Sequence, residues 1–124
     1  MLRILPLVLS WMALGVLATT PVPSEITADN SVLLANVLGH KETFESAAAT
    51  PICFIKILSL EAAKEEDGFV YKYHVQGCET TEFRGFGVCT TADCVVRHYQ
   101  VELFAPNRAS TGIIQNVSPL IAYS

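Results

Sequence analysis

The residues of this chain whose types could do chemistry on their own are four cysteines and three histidines. Cys53, Cys78, Cys89 and Cys94 include no Cys-x-x-Cys pair, and only His98 stands near one of them, four residues after Cys94. Tetrahedral zinc sites draw their ligands from tight pairs, so this spacing favours disulfides, and no metal is expected. Four cysteines allow three connectivities, and the sequence does not choose among them. His74 and His98 fall on the polar side of alternating segments and read as solvated strand residues; His40 has no partner visible in the sequence. There is no Gly-x-Ser-x-Gly, no His-Glu-x-x-His and no Walker loop. Arg84-Gly85-Phe86-Gly87 has too few glycines to cradle a phosphate, and no helix start follows to offer its amides. Glu65 and Glu66 are adjacent carboxylates in a charged run where water keeps both ionised, which gives neither a raised-pKa acid role. The expectation is a protein that is not an enzyme and holds no cofactor.

Chemistry by binding is left, and the chain ends say where it would happen. Arg3 precedes an apolar run from Ile4 to Ala18 with no acidic residue and small residues near Val16-Leu17-Ala18. That order is the order of a secretory signal peptide, here residues 1–18, with cleavage after Ala18. A membrane span needs about 20 apolar residues, whereas this run contains Pro6 and meets the polar Thr19-Thr20-Pro21 directly. Loss of Arg3 leaves the mature chain one unit more negative than the −4 of the whole sequence. A phosphate backbone would be repelled, so nucleic acid is excluded as a partner for want of counterion release. No second apolar run is long enough to span a bilayer, so a secreted, extracellular product is expected, in a compartment where cysteines pair. At 124 residues there is room for one domain.

The elements that position these residues follow from periodicity. Thr19 to Ala28, with Pro21 and Pro23, reads as an extended, mobile N-terminal arm. From Asp29, Leu33, Leu34, Val37, Leu38 and Phe44 recur at helical spacing, with Asp29, Asn30 or Ser31 as cap, Gly39 inside the run and Pro51 as its end. Ile52 to Leu60 and Phe69 to Gln76 read as the arms of a hairpin around Lys64-Glu65-Glu66-Asp67-Gly68, with Gly68 supplying the positive φ of a tight turn. In the second arm Phe69, Tyr71, Tyr73 and Val75 share the buried face. Gly77 to Asp93 is a long loop, Val95 to Phe104 a third strand, Ala105-Pro106-Asn107-Arg108 a turn, and Ile113 to Val117 a final short strand. Asn116-Val117-Ser118 is a glycosylation sequon weakened by Pro119, and residues 119–124 form an unassigned tail. The fold class is α+β: one helix packed on a four-stranded antiparallel sheet, stapled by disulfides.

This order of elements, with cysteines in the loop after the second hairpin arm, resembles the cystatin superfamily over residues 29–118. The superfamily includes secreted inhibitors of papain-like cysteine proteases and the pro-regions of cathelicidin precursors. The resemblance implies a curved sheet wrapped round the helix and a disulfide between Cys78 and Cys89. It also implies a contact edge made of a glycine in the arm, a Gln-x-Val-x-Gly first hairpin and a Pro-Trp second hairpin. Of these, the first hairpin at Lys64, Glu65, Glu66, Asp67 and Gly68 keeps only Gly68, with Glu66 in place of the apolar wedge residue. The second keeps Pro106 and has Asn107 where the aromatic would stand, and residues 19–28 contain no glycine. Burying Glu66 in an enzyme cleft without a cation costs several kcal/mol.

The leading expectation is therefore a secreted cystatin-like protein that binds an extracellular protein partner through its hairpin tips, at a target other than a papain-type cleft. A defence, venom or reproductive-fluid component would fit. The alternative is a divergent inhibitor of papain-like cysteine proteases acting through Gly68 and Pro106, and a second alternative is a small extracellular structural or matrix protein. Tips lying side by side at one edge of the sheet would favour the first two.

Overall fold

The computed structural model describes residues 20–44, 50–83, 85–90, 94–107 and 112–121. The expected leader, residues 1–18, lies outside them, as does the end of the tail from 122. Among the described residues, five strands and one α-helix run in the order β1 (Val22–Pro23), α1 (Ala28–Leu38), β2 (Ile52–Glu65), β3 (Gly68–Glu79), β4 (Arg97–Pro106) and β5 (Ile113–Pro119). The strands form one antiparallel sheet in the order β1-β2-β3-β4-β5, so every sequential neighbour is a spatial neighbour. The sheet thus has five strands where four were expected. The additional one is the proline-bearing arm, whose Val22 and Pro23 pair with Ala62 and Glu61 of β2. Two residues are too few to show a period; the free edge of β2 places them.

The helix starts at a cap other than those expected. Thr27 is its N-cap: the Thr27 hydroxyl accepts from the Asn30 amide at 3.2 Å, and the Asn30 side chain accepts from the Thr27 amide at 2.7 Å. The helix also ends sooner than Pro51. Gly39 is its C-cap, and a β-carbon there would lie 2.2 Å from the Phe86 nitrogen. Residues 85–87 cross the helix end at that point, with the Gly85 amide donating to the Gly39 carbonyl at 2.9 Å and the Gly87 amide to that of Ala35 at 2.6 Å. Gly39 is therefore a crossing point of two backbones, and the apolar Phe44 beyond it joins the core from a bridge to Ile114.

Leu34, Val37 and Leu38 from α1 are buried against Tyr73, Val75, Val101, Leu103 and Ile114 from the sheet. Tyr73 and Val75 lie in the core as alternation predicts, with Tyr71 partly buried beside them. The Tyr73 hydroxyl donates to the Asn30 carbonyl at 2.9 Å, fixing the helix start to the middle of the sheet. Burial, and secondarily Tyr71, pushes the ionisation of that hydroxyl far above the usual tyrosine range, so it remains a donor. Register shifts between Phe54 and Lys56, between Ile57 and Ser59, and between Glu102 and Leu103 bend β2 and β4.

Other boundaries move for physical reasons. β2 continues through Lys64 and Glu65, leaving only Glu66 and Asp67 as the turn. Val95, 70% exposed, and Val96 precede β4, which begins at Arg97 and extends through Pro106. β5 extends into the expected tail as far as Pro119. Among the described residues the one positive φ belongs to Gly85, so Gly68 serves no left-handed turn. Its role is close approach: a β-carbon on Gly68 would lie 2.1 Å from the Ala105 carbonyl oxygen.

The disulfides are Cys53–Cys89 and Cys78–Cys94. This replaces the Cys78–Cys89 bond that the resemblance implied. Residues 87–89 run along β2, with the Phe54 amide donating to the Gly87 carbonyl at 2.8 Å and the Cys89 amide to that of Phe54 at 2.9 Å. That pairing brings the α-carbons of Cys53 and Cys89 to 4.9 Å, and Cys78 is left to reach Cys94 at 5.9 Å.

Candidate functional site

Strand pairing brings three separate segments to one end of the sheet. The first hairpin turns at Glu66 and Asp67, both exposed, between Glu65 and Gly68, which are register partners. Gly68 is in turn the register partner of Pro106, so β4 ends beside the start of β3. The second turn begins at Asn107, whose amide donates to the Asp67 carbonyl at 2.8 Å. The two tips therefore share a backbone hydrogen bond, which is the side-by-side arrangement expected of a contact edge.

The arm is the third segment. The Ser24 amide donates to the Leu60 carbonyl at 2.9 Å, Pro23 pairs with Glu61, and Val22 with Ala62. Followed backwards, the arm thus climbs β2 toward its turn. On the same register Pro21 falls opposite Ala63, and it lines a shallow cleft of about 260 Å³ with Ala63, Glu65, Val70, Lys72, Glu102 and Gln115. The arm was expected to be mobile and was not counted among the contact residues. Its prolines could have flagged it, because proline is confined to sheet edges.

Each expected contact residue now has a place. Lys64 is exposed near the end of β2, and Glu65 is half-buried at its last position. Glu66, Asp67 and Asn107 are the exposed points of the edge, whereas Gly68 is buried and Pro106 half-buried, both within strands. Gly68 and Pro106 thus hold the tips in position instead of presenting side chains. The edge carries carboxylates and an amide where an apolar wedge would otherwise stand. Arg108 to Thr111 lie outside the described residues.

The disulfides occupy the opposite end of β2 and β3. Cys53 and Cys78 are register partners, and the sulfurs of Cys53, Cys78 and Cys89 lie within 4.8 Å of one another, all committed to disulfides. Beside them lies a cleft of about 670 Å³ lined by Pro51, Glu79, Thr80, Phe86 and Cys94 among others. No described cysteine is free, so none offers a thiolate nucleophile.

His74 and His98 differ from their expected solvated state, and His40 has a partner that the sequence does not show. His40 Nδ1–H donates to the Asn36 carbonyl at 2.8 Å, and His74 Nε2 lies 2.8 Å from His98 Nδ1. Burial first, then the neighbouring His98, lowers the pKa of His74 below its ordinary 6.5. Alternation placed both on the polar side of their strands, but only the register could reveal that they meet.

No family model matches the chain, and no solved structure is a significant match. Among the curated sequences similar to it are two described as "Cystatin-like cysteine protease inhibitor EPIC4", one from Phytophthora infestans and one from Phytophthora infestans strain T30-4. Each is 26% identical over 98 residues, which is 77% of this chain and 55% of the relative. The chain thus spans about half the length of the curated relatives it matches. This distant similarity suggests a cystatin-like relationship, and the α+β architecture of one helix on an antiparallel sheet agrees with it. Paired cysteines fit an oxidising, extracellular setting, and no described helix is long and apolar enough to cross a membrane.

Proposed function

We propose that this chain is an exported, cystatin-like inhibitor of a cysteine protease, docking through the arm near Pro21 and the tips at Glu66-Asp67 and Asn107. The single observation that carries the reading is the Asn107 to Asp67 hydrogen bond, which joins the two tips into one edge beside the arm. The similarity to proteins described as cystatin-like cysteine protease inhibitors supports the same choice. It favours the inhibitor over the expectation of an unrelated target.

Inhibition of this kind requires no chemistry from the inhibitor. A rigid edge enters the enzyme's cleft and excludes substrate, and the sheet supplies the rigidity because both tips hang from paired strands. The acidic tip sets the specificity. Glu66 entering an apolar cleft leaves a charge without water or partner, whereas a cleft entrance bearing a cation recovers much of that desolvation. The target is thus a protease whose entrance is basic.

The experiment is inhibition of a panel of papain-family proteases by the oxidised chain, alone and as Glu66→Val. Inhibition should be strongest for the members with basic cleft entrances, and the variant should inhibit papain itself at least ~10-fold more tightly, about 1.4 kcal/mol. Failure of both proteins against every member would overturn the reading. A second reading, a binding protein for another extracellular target, is favoured by the absence of an apolar residue at Glu66 and Asp67, of an aromatic at Asn107 and of a glycine in residues 19–28.

A further inference from the structure

The polar face of the sheet contains a pair of imidazoles that the inhibitor reading does not use. Tyr73 and Val75 point into the core on β3, and Tyr99 does so on β4, so His74 and His98 lie on the opposite face. His74 is the register partner of Gln100 and His98 that of Gln76, which makes the two histidines diagonal neighbours across β3 and β4. Both are half-buried, their ring centroids are 5.0 Å apart at 54°, and His74 Nε2 faces His98 Nδ1 at 2.8 Å.

We propose that His74 and His98 form a binding site for a divalent transition-metal ion of the zinc type. Imidazole nitrogens suit zinc, copper and nickel, and neutral histidine binds through either ring nitrogen. Bonds of 2.0–2.1 Å in tetrahedral geometry set two such nitrogens about 3.3 Å apart. The observed spacing is thus within about half an ångström of a chelating one, a change that small side-chain rotations supply on fixed strands. Without metal, one facing nitrogen of the pair donates a proton to the other. On binding, the donor ring moves its proton to its other nitrogen through solvent, both facing lone pairs turn to the metal, and the charge of each imidazole stays neutral. Water or the flanking Gln76 and Gln100 fill the remaining positions.

The test uses the untagged, disulfide-intact chain titrated with zinc chloride while the histidine ring nitrogens are followed by NMR. One equivalent should saturate the response, shifting His74 Nε2 and His98 Nδ1 and leaving His40 unmoved. His74→Gln and His98→Gln should each weaken binding at least ~10-fold, about 1.4 kcal/mol, and His40→Gln should leave it unchanged. Should either variant fail to fold, the ring-nitrogen assignment on the unaltered chain decides. Absence of a saturable response, or shifts confined to His40, overturns the site, as does binding that survives in both variants. Protease inhibition is read separately, so failure of one proposal leaves the other standing.

Discussion

Asp67 and Asn107 stand on different hairpins, forty residues apart in sequence, and meet through a backbone hydrogen bond of 2.8 Å. The bond is possible because Gly68, directly after Asp67, lets β4 approach without a side chain between the strands. The junction of the two tips consequently depends on a residue that is itself buried.

Gly68→Ala tests that dependence. Alanine in place of glycine in a strand ordinarily stabilises through the unfolded state by about 0.4–1 kcal/mol. Here the new β-carbon would lie 2.1 Å from the Ala105 oxygen, so the sign should reverse to a loss of about 1–3 kcal/mol. Urea unfolding should show a lower midpoint with an unchanged slope.

The disulfide map follows from the path of residues 87–89 along β2. Mass mapping of the oxidised chain should give Cys53–Cys89 and Cys78–Cys94, and a Cys78–Cys89 peptide would contradict the register. Replacing either pair with serines should cost about 2–4 kcal/mol. The Cys53–Cys89 pair should cost about 0.7 kcal/mol more if loop entropy dominates, since it closes a separation of 36 residues against 16.

Acid should weaken the fold through His74. Its folded pKa lies below the unfolded 6.5, so as pH falls the unfolded chain takes up the proton first. The contribution is complete above about pH 7 and is lost as pH falls through the unfolded pKa toward the folded one. His74→Gln should flatten this part of the stability profile between pH 7.5 and 5.5, measured by urea unfolding without added metal. An unchanged slope would contradict the shift.

Tyr73→Phe should cost about 1 kcal/mol, because the hydroxyl makes a hydrogen bond to Asn30 from inside the core and the phenyl ring preserves the packing. Thermal melting of the variant, with an unchanged far-ultraviolet circular dichroism spectrum, checks it.

Much of the fold is legible in the sequence. Period-two alternation in Tyr71 to Val75 and in Tyr99 to Leu103 reports the buried faces correctly, whereas Phe69 is only half-buried, and Leu34, Val37 and Leu38 report the helix stripe. What the sequence does not show depends on contacts between distant segments. Gly39 has the same appearance whether it interrupts a helix or ends one, and only the crossing by residues 85–87 decides. Val22-Pro23 becomes a strand because β2 offers an edge, and Cys89 finds Cys53 because of a backbone pairing centred on Phe54. At the candidate edge the turn residues Glu66, Asp67 and Asn107 were visible as residues, while the arm beside them and the His74–His98 pair were not. Both arise from register, which is a property of pairs of strands.

The measurement that bears most directly on the inhibitor edge is hydrogen exchange on the oxidised chain bound to active-site-blocked papain, in the Glu66→Val form to raise affinity. Amides of Thr20, Val22, Ser24, Glu66, Asp67, Gly68 and Asn107 should become protected together, with little change around Cys53, Cys78, Cys89 and Cys94. Protection centred on residues 79–90, or no complex at all, would contradict an inhibitor that docks by its two tips and its arm.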